Sequence, residues 1–166
     1  MLSYLDEGLA ELDMDYFMRQ ALSEADAAGA AGELPIGAVV VIDGEVVSKG
    51  RARHLEHQNQ IRHAELNALL AGGERLWRDY RRAILFTTVE PCPMCLGAAV
   101  MADVPHIIYA IHDQVVQSQK TLEANPYVRR HIKSYYGGLL EDESKDIFRR
   151  YKPRELDYIL RARMDP

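Results

Sequence analysis

Three short apolar runs constrain this chain most: residues 36–42, 83–89 and 106–111. Each is rich in β-branched or large apolar residues and lacks polar alternation, the pattern of a strand covered on both faces. Such strands lie inside a sheet with helices on either side. Asp43-Gly44 follows the first run directly. That dipeptide is a strong two-residue hairpin signal, so 45–49 is read as a returning antiparallel strand. Between the second and third runs, Pro91 and Pro93 flank the start of a helix reaching about Ala102, since proline is well tolerated in a first helical turn. Strand, helix and strand in that order make a right-handed crossover between parallel strands. Hairpin and crossover together predict an α/β fold, a three-layer α/β/α sandwich around a mixed sheet of about five strands.

The remaining segments fill in the layers. Met14, Phe17, Met18, Ala21, Leu22 and Ala25 recur at helical spacing. Asp13 is placed to cap that helix, and Gly29 and Gly32 mark its end. A second helical pattern covers 62–71, with Gly72-Gly73 as its stop. Residues 50–60 show no period and are read as loop. Residues 112–136 are expected to hold a short helix and a last edge strand. The tail reads as one or two helices interrupted at Pro153, with Leu140, Ile147, Phe148 and Tyr151 as apolar positions. The length of 166 residues predicts one domain over 1–166, with a core at about 13–151 and a helical tail at 139–163.

Charge and cysteine usage narrow the setting. The net charge of −5 gives no global basic field for a nucleic acid or a membrane. Two local basic clusters, Arg75, Arg78, Arg81 and Arg82, then Arg129, Arg130, His131 and Lys133, read as solvated faces. A bridge between Cys92 and Cys95 would close almost no loop and stabilise little. Two thiols in an acidic chain fit a reducing compartment. The first seven residues lack the basic start and apolar stretch of a signal peptide. The strongest apolar run falls far short of the roughly 20 residues that span a bilayer. The expectation is a cytoplasmic protein without a membrane partner.

Two motifs carry chemistry. His63-Ala64-Glu65 opens one helix and Pro91-Cys92-Pro93-Met94-Cys95 opens another. Imidazole nitrogen and thiolate sulfur are the donors zinc prefers. One helical turn brings both sulfurs to one side, and the partial positive charge of a helix N-terminus favours thiolate. With His63 as the third ligand, one tetrahedral position stays open, the mark of catalytic zinc. Glu65 is placed near such a metal without binding it and can pass a proton from water to a leaving amine. Other readings of these residues are a redox Cys-x-x-Cys pair, a satisfied core histidine at His63, and a structural zinc completed by His106 or His57. His54, His57 and His112 read as ordinary loop residues.

The paired motifs resemble the cytidine-deaminase-like zinc deaminases, whose signature is His-x-Glu followed by Pro-Cys-x-x-Cys. The resemblance covers roughly residues 13–151. It includes Leu34-Pro35-Ile36-Gly37-Ala38, and Thr87-Thr88-Val89-Glu90 running through the cysteine motif to Ala98. That second stretch is most similar to the branch of guanine deaminases, fungal cytosine deaminases and bacterial tRNA adenosine deaminases. The resemblance implies one zinc per chain on His63, Cys92 and Cys95, a homodimer, and attack of an activated water on the carbon bearing an amino group. Glu65 is then the catalytic proton carrier. The resemblance also implies substrate-binding positions: the Ala64 amide, the Glu90 carbonyl, Ile36 at the first strand, Ala52, and Phe148, with Tyr151, in the tail, where core packing is the alternative and weightier reading of both aromatics.

Ala52 departs from the pattern. Relatives place an asparagine there in a Gly-x-Asn sequence, and its amide holds the base. Asn59-Gln60-Ile61-Arg62 likewise replaces an acidic-Pro-small segment. Asn59, Gln60, Arg51 and Arg53 are the candidates to supply the missing contact. The sequence thus predicts a hydrolytic deaminase of a small free amino-heterocycle, guanine- or cytosine-like. The alternatives are a tRNA adenosine deaminase and a deaminase-fold binding protein. The tRNA reading requires a basic face and a phosphate-gripping loop, but 112–120 lacks the Lys-Thr-Gly-containing stretch. Nucleic acid is therefore expected to be an unlikely partner.

Overall fold

The structure, a computed structural model, describes residues 4–162. A single helical turn at Glu7–Leu9 precedes α1, Met14–Ala30. The Asp13 carboxylate caps α1 by accepting from the Tyr16 amide at 3.0 Å. Strand β1, Gly37–Ile42, is buried throughout and pairs antiparallel with β2, Glu45–Arg51. Asp43 and Gly44 join them with φ of 54° and 76°, the doubly positive turn that matches strand twist. Then come α2 (His54–His57), α3 (Ala64–Ala71), α4 (Gly73–Asp79) and a short turn at Tyr80–Arg82. The crossover consists of β3 (Ala83–Val89), α5 (Pro93–Met101) and β4 (His106–Ile111). The chain continues through α6 (Ser118–Ala124), α7 (Pro126–His131), β5 (Ser134–Tyr136), α8 (Glu141–Tyr151) and α9 (Pro153–Arg161).

The five strands form one mixed sheet in the order β2-β1-β3-β4-β5. β1 is antiparallel to both neighbours, while β3, β4 and β5 are parallel. Alternation along β1 explains its full burial. Ala38, Val40 and Ile42 face a core shared with Ala68, Leu96 and Val100 of α3 and α5. Val39 and Val41 face the opposite core, with Phe17, Met18 and Leu22 of α1 and Ile147 of α8. The α/β/α layering expected from the sequence is therefore present.

Several local readings change. Residues 50–60 are not a plain loop: β2 runs to Arg51, and α2 occupies His54–His57. Gly72-Gly73 ends α3 at Ala71 as expected, and Gly73 at φ 50° turns the chain into a further helix, α4, that the sequence did not announce. Residues 112–136 hold two short helices before the edge strand. The first basic cluster is partly paired: Arg75 and Arg82 lie 3.3 and 2.7 Å from Asp43. No helix among the described residues is long and apolar enough to cross a membrane.

The seating of α3 on the sheet depends on one glycine. A side chain at Gly50 would place its Cβ 2.3 Å from both the Ala64 carbonyl and the Ala68 amide. Glycine therefore lets β2 and α3 touch backbone to backbone. The Ser48 hydroxyl donates to the Ala68 carbonyl at 2.7 Å, and the Asn67 amide donates to the Arg51 carbonyl at 2.8 Å. These bonds fix the height of α3 on the sheet, and with it the position of the residues at its start.

Candidate metal centre and substrate cavity

Two helix starts meet beyond the carboxyl end of β3. His63 is the cap residue of α3 and Cys92 the cap residue of α5, both in extended backbone conformations. Pro93 fits the first position of α5, where its missing N–H costs nothing. Cys95, one turn on, is fully buried. The donor atoms of His63, Cys92 and Cys95 all lie within 4.8 Å of one another. His63 Nδ1 is 3.5 Å from Cys92 Sγ.

Electrostatics suit a metal. The Cys92 thiol is lowered to about 4, first by the hydrogen bond from Cys95 and then by His63, which together outweigh burial. Cys95 is raised, first by that same bond and then by burial. The hydrogen bond to Cys92 raises His63. The pocket thus favours one thiolate beside a shared proton, which a bound divalent ion displaces. Nitrogen and sulfur donors at this separation fit zinc, and among the described residues no fourth side chain joins them. His106 is committed elsewhere, with Nδ1 2.8 Å from the Ser134 hydroxyl. Glu65, buried in the first turn of α3, is pushed up to about 7, chiefly by burial.

These groups open into a cavity of about 240 Å³. Its wall includes the expected positions Ile36, Ala52, Ala64, Glu65 and Glu90. Phe148 is not there. It is fully buried among Val89, Ile111, Leu156 and Ile159, behind the cavity, so the structure does not bring it to a ligand. Tyr151 is also remote, packed on Gly29 and bonded to Asp26 at 3.2 Å. The tail contributes instead through α9, whose Glu155, Tyr158 and Ile159 form part of the wall. A backbone bond from the Gln114 amide to the Ile159 carbonyl, 2.9 Å, ties α9 to the segment after β4.

None of the candidates for the contact missing at Ala52 lines the cavity. Arg53 pairs with Glu56 at 2.8 Å, and Arg51 faces Glu24 at 4.0 Å. Asn59 accepts from the Ile61 amide at 3.0 Å, and Gln60 is exposed. The residue that does reach the cavity is His54, read from the sequence as a loop residue. Its ring stands edge-on to His63, 5.0 Å between centroids. Asp113 and Val116 were also missed; they lie in a segment without periodicity, and no sequence signal marks them.

Glu90 is used twice. Its position before Cys92 sets it in the wall, and its carboxylate organises the segment after β4. Oε1 accepts from Tyr135 at 2.9 Å and from the Gln119 amide at 3.1 Å, while Oε2 accepts from the Asp113 amide at 3.1 Å.

Three nitrogen and sulfur donors without a fourth among the described residues are the kind of set that catalytic zinc takes. Residues 12–111 match the cytidine and deoxycytidylate deaminase zinc-binding region, and the chain belongs to that family of zinc-binding deaminases. A tRNA-specific adenosine deaminase of Streptococcus pyogenes is 40% identical over 104 residues, which are 61% of this chain and 65% of that protein. The match therefore spans just under two thirds of that relative. A solved structure of a tRNA:A34 deaminase, described in terms of A-to-I editing at the wobble position, is 36% identical with a TM-score of 0.70, covering 80% of this chain and 98% of its own. Guanine deaminase from Bacillus subtilis is 31% identical with a TM-score of 0.56, covering 69% and 71%. The expectation that nucleic acid is an unlikely partner finds no support in these likenesses, two of which carry tRNA in their names.

Proposed function

We propose that this chain hydrolytically deaminates an amino-substituted heterocycle of nucleobase size, presented as a free ring, and releases ammonia. The observation that carries this reading is the cavity itself. At about 240 Å³ it lies below the usual range of about 300–1,000 Å³ for ligand pockets. Its outer wall is α9 of the same chain. A base within RNA would have to be extruded into such a pocket with its backbone left outside. Of the charged residues of α9, the one that lines the cavity is an acid, Glu155, which offers a phosphate no cationic partner there.

In this proposal His63, Cys92 and Cys95 hold one zinc ion. Zinc at such a site lowers the pKa of a water from about 16 toward about 7. Glu65 would take one proton from the water and pass it to a ring nitrogen as the C–O bond forms, then take the second from the hydroxyl left on that carbon and pass it to the amine as the C–N bond breaks. Its pKa of about 7 is poised for transfer in both directions near neutrality. The Ala64 amide and the Glu90 carbonyl orient the ring, and Ile36 packs on its face. The proposal also includes a cytoplasmic homodimer. Trp77 and Met101, 81% and 73% exposed, border one surface groove and are suited to its interface.

A second reading, deamination of adenosine within tRNA, has the stronger support among the relatives: proteins named tRNA-specific adenosine deaminase match at 35% to 40% identity, and the solved tRNA:A34 deaminase is covered over 98% of its chain. An ammonia-release screen separates the two. Guanine, adenine, cytosine, a pterin and an aminotriazine are tested beside a tRNA anticodon stem-loop carrying adenosine. Turnover of a free ring is expected. Efficient editing of the stem-loop with every free ring inert would replace the first reading by the second.

A further inference from the structure

Outside the metal centre, the cavity's polar groups can be counted against the bonds they already make. Both oxygens of Glu90 are committed, to Tyr135 and to the amides of Gln119 and Asp113. Asp113 Oδ1 accepts from the amides of Val115 and Val116 at 2.7 and 3.1 Å. Leu34, Ile36, Ala52 and Val89 offer no side-chain donor or acceptor. Glu155 and Tyr158 stand on the α9 wall. Their side chains, like that of His54, make no hydrogen bond to another described residue, but His54 is the one of the three set against a metal-binding side chain, its ring 5.0 Å from that of His63. His54 lies in the wall with its side chain 15% exposed, and neither ring nitrogen makes a hydrogen bond to another described residue. A ring nitrogen without a protein partner in a cavity wall is available to a ligand that brings a donor.

The ring's orientation has a cause. Glu33 is buried, and its carboxylate accepts from the amides of Leu55 and Glu56, both at 2.9 Å. It therefore anchors the first turn of α2, where His54 sits. Its Oε2 faces His54 Nδ1 at 3.9 Å. A carboxylate on that side favours the tautomer protonated at Nδ1, which leaves Nε2 as an acceptor.

We infer that His54 is the specificity-determining residue of the cavity, accepting a hydrogen bond at Nε2 from a ring N–H of the substrate, with Glu33 as its positioning residue. The inference rests on the free-ring reading. It narrows the substrate class to rings that present an N–H besides the amino group lost in the reaction. Lactam-containing aminopurines and unsubstituted purine bases satisfy this. A purine bearing a ribose in place of its imidazole N–H and lacking a lactam does not.

The test uses the full-length, zinc-loaded protein, with guanine, adenine and cytosine as probes, carrying forward whichever the unaltered protein deaminates. His54→Leu, close in volume but without a polar atom, is expected to raise KM about 5- to 150-fold, the equivalent of one lost buried hydrogen bond, with a smaller change in kcat and with zinc content intact. His54→Gln restores an acceptor and recovers part of the loss. Glu33→Gln keeps an acceptor for the α2 amides but removes the charge facing Nδ1. It is expected to raise KM in the same direction and to add nothing to His54→Leu. If the unaltered protein is active and His54→Leu leaves KM unchanged, the role of His54 is refuted while the free-ring reading stands. If His54→Leu loses zinc, His54 supports His63 and does not read the ring. If the unaltered, zinc-loaded protein is inert on every ring, both fall together.

Discussion

Replacing Glu65 by Gln changes the pH dependence of stability of the zinc-free protein by an amount set by its burial. Burial pushes the Glu65 carboxyl from 4.5 up to about 7, against an opposing backbone hydrogen bond, with Cys92 adding to the rise and His63 opposing it. Between those two values the folded chain holds a proton that the unfolded chain has released. The group therefore leaves stability untouched below about pH 4.5 and lowers it as pH rises through about 7. At about 1.4 kcal/mol for each tenfold in acidity, the full interval amounts to about 3 kcal/mol by pH 8. For a chain of this length that is about 6–12 °C in Tm. Gln has nearly the same shape and no charge, so it carries no such penalty. The assay is thermal unfolding of chelator-treated wild type and Glu65→Gln at pH 5 and pH 8. His63 and Cys95 interact with Glu65, so their titration shifts with it and the difference reads the response of the whole cluster. About a quarter of the interval is already spent at pH 5, so the variant should gain about 5–10 °C on the wild type between the two pH values. Parallel melting behaviour would refute the claim that Glu65 is buried as an uncompensated acid.

Three further outcomes are expected. With zinc restored, Glu65→Gln keeps a full complement of metal by elemental analysis but loses about 10²–10⁴-fold in turnover, whereas Cys92→Ala loses both metal and activity. Phe148→Ala removes a fully buried ring, worth about 3–5 kcal/mol, and lowers Tm by about 6–20 °C. Phe148→Leu keeps most of the packing and leaves KM unchanged; a raised KM at unchanged Tm would return Phe148 to the substrate. Trp77→Glu places a charge on the exposed groove and gives a monomer in sedimentation at micromolar concentration, while a wild type that is itself monomeric would remove the dimer.

The fold and the metal triad were legible because each depends on local signals. Two-sided burial writes itself as unbroken apolar runs, Asp43-Gly44 specifies its turn by allowing positive φ, and Pro93 announces a helix start within which Cys92 and Cys95 must share a side. His54 was not legible, since its importance comes from Glu33, 21 positions earlier, which pins α2 through backbone amides that no pattern reveals. Phe148 was misplaced for a related reason. An apolar position on an amphipathic tail helix shows that the residue is buried but not what it is buried against. Which tail residues face the cavity depends on the angle at Lys152–Pro153, where α8 gives way to α9. Gly72-Gly73 was legible as the stop of α3, but the helix α4 that follows its positive-φ turn was not.

The backbone contact at Gly50 has a consequence for how the protein acquires its metal. α3 is seated on β2 by Gly50, Ser48 and Asn67, and α5 by Leu96 and Val100 in the core, so packing contributes to holding the three donors within reach of one ion. In small zinc domains the ion is the core, and its binding energy is consumed in ordering the chain. A sheet that already seats both helices leaves less ordering for the ion to do, and more of that energy is free to appear as affinity.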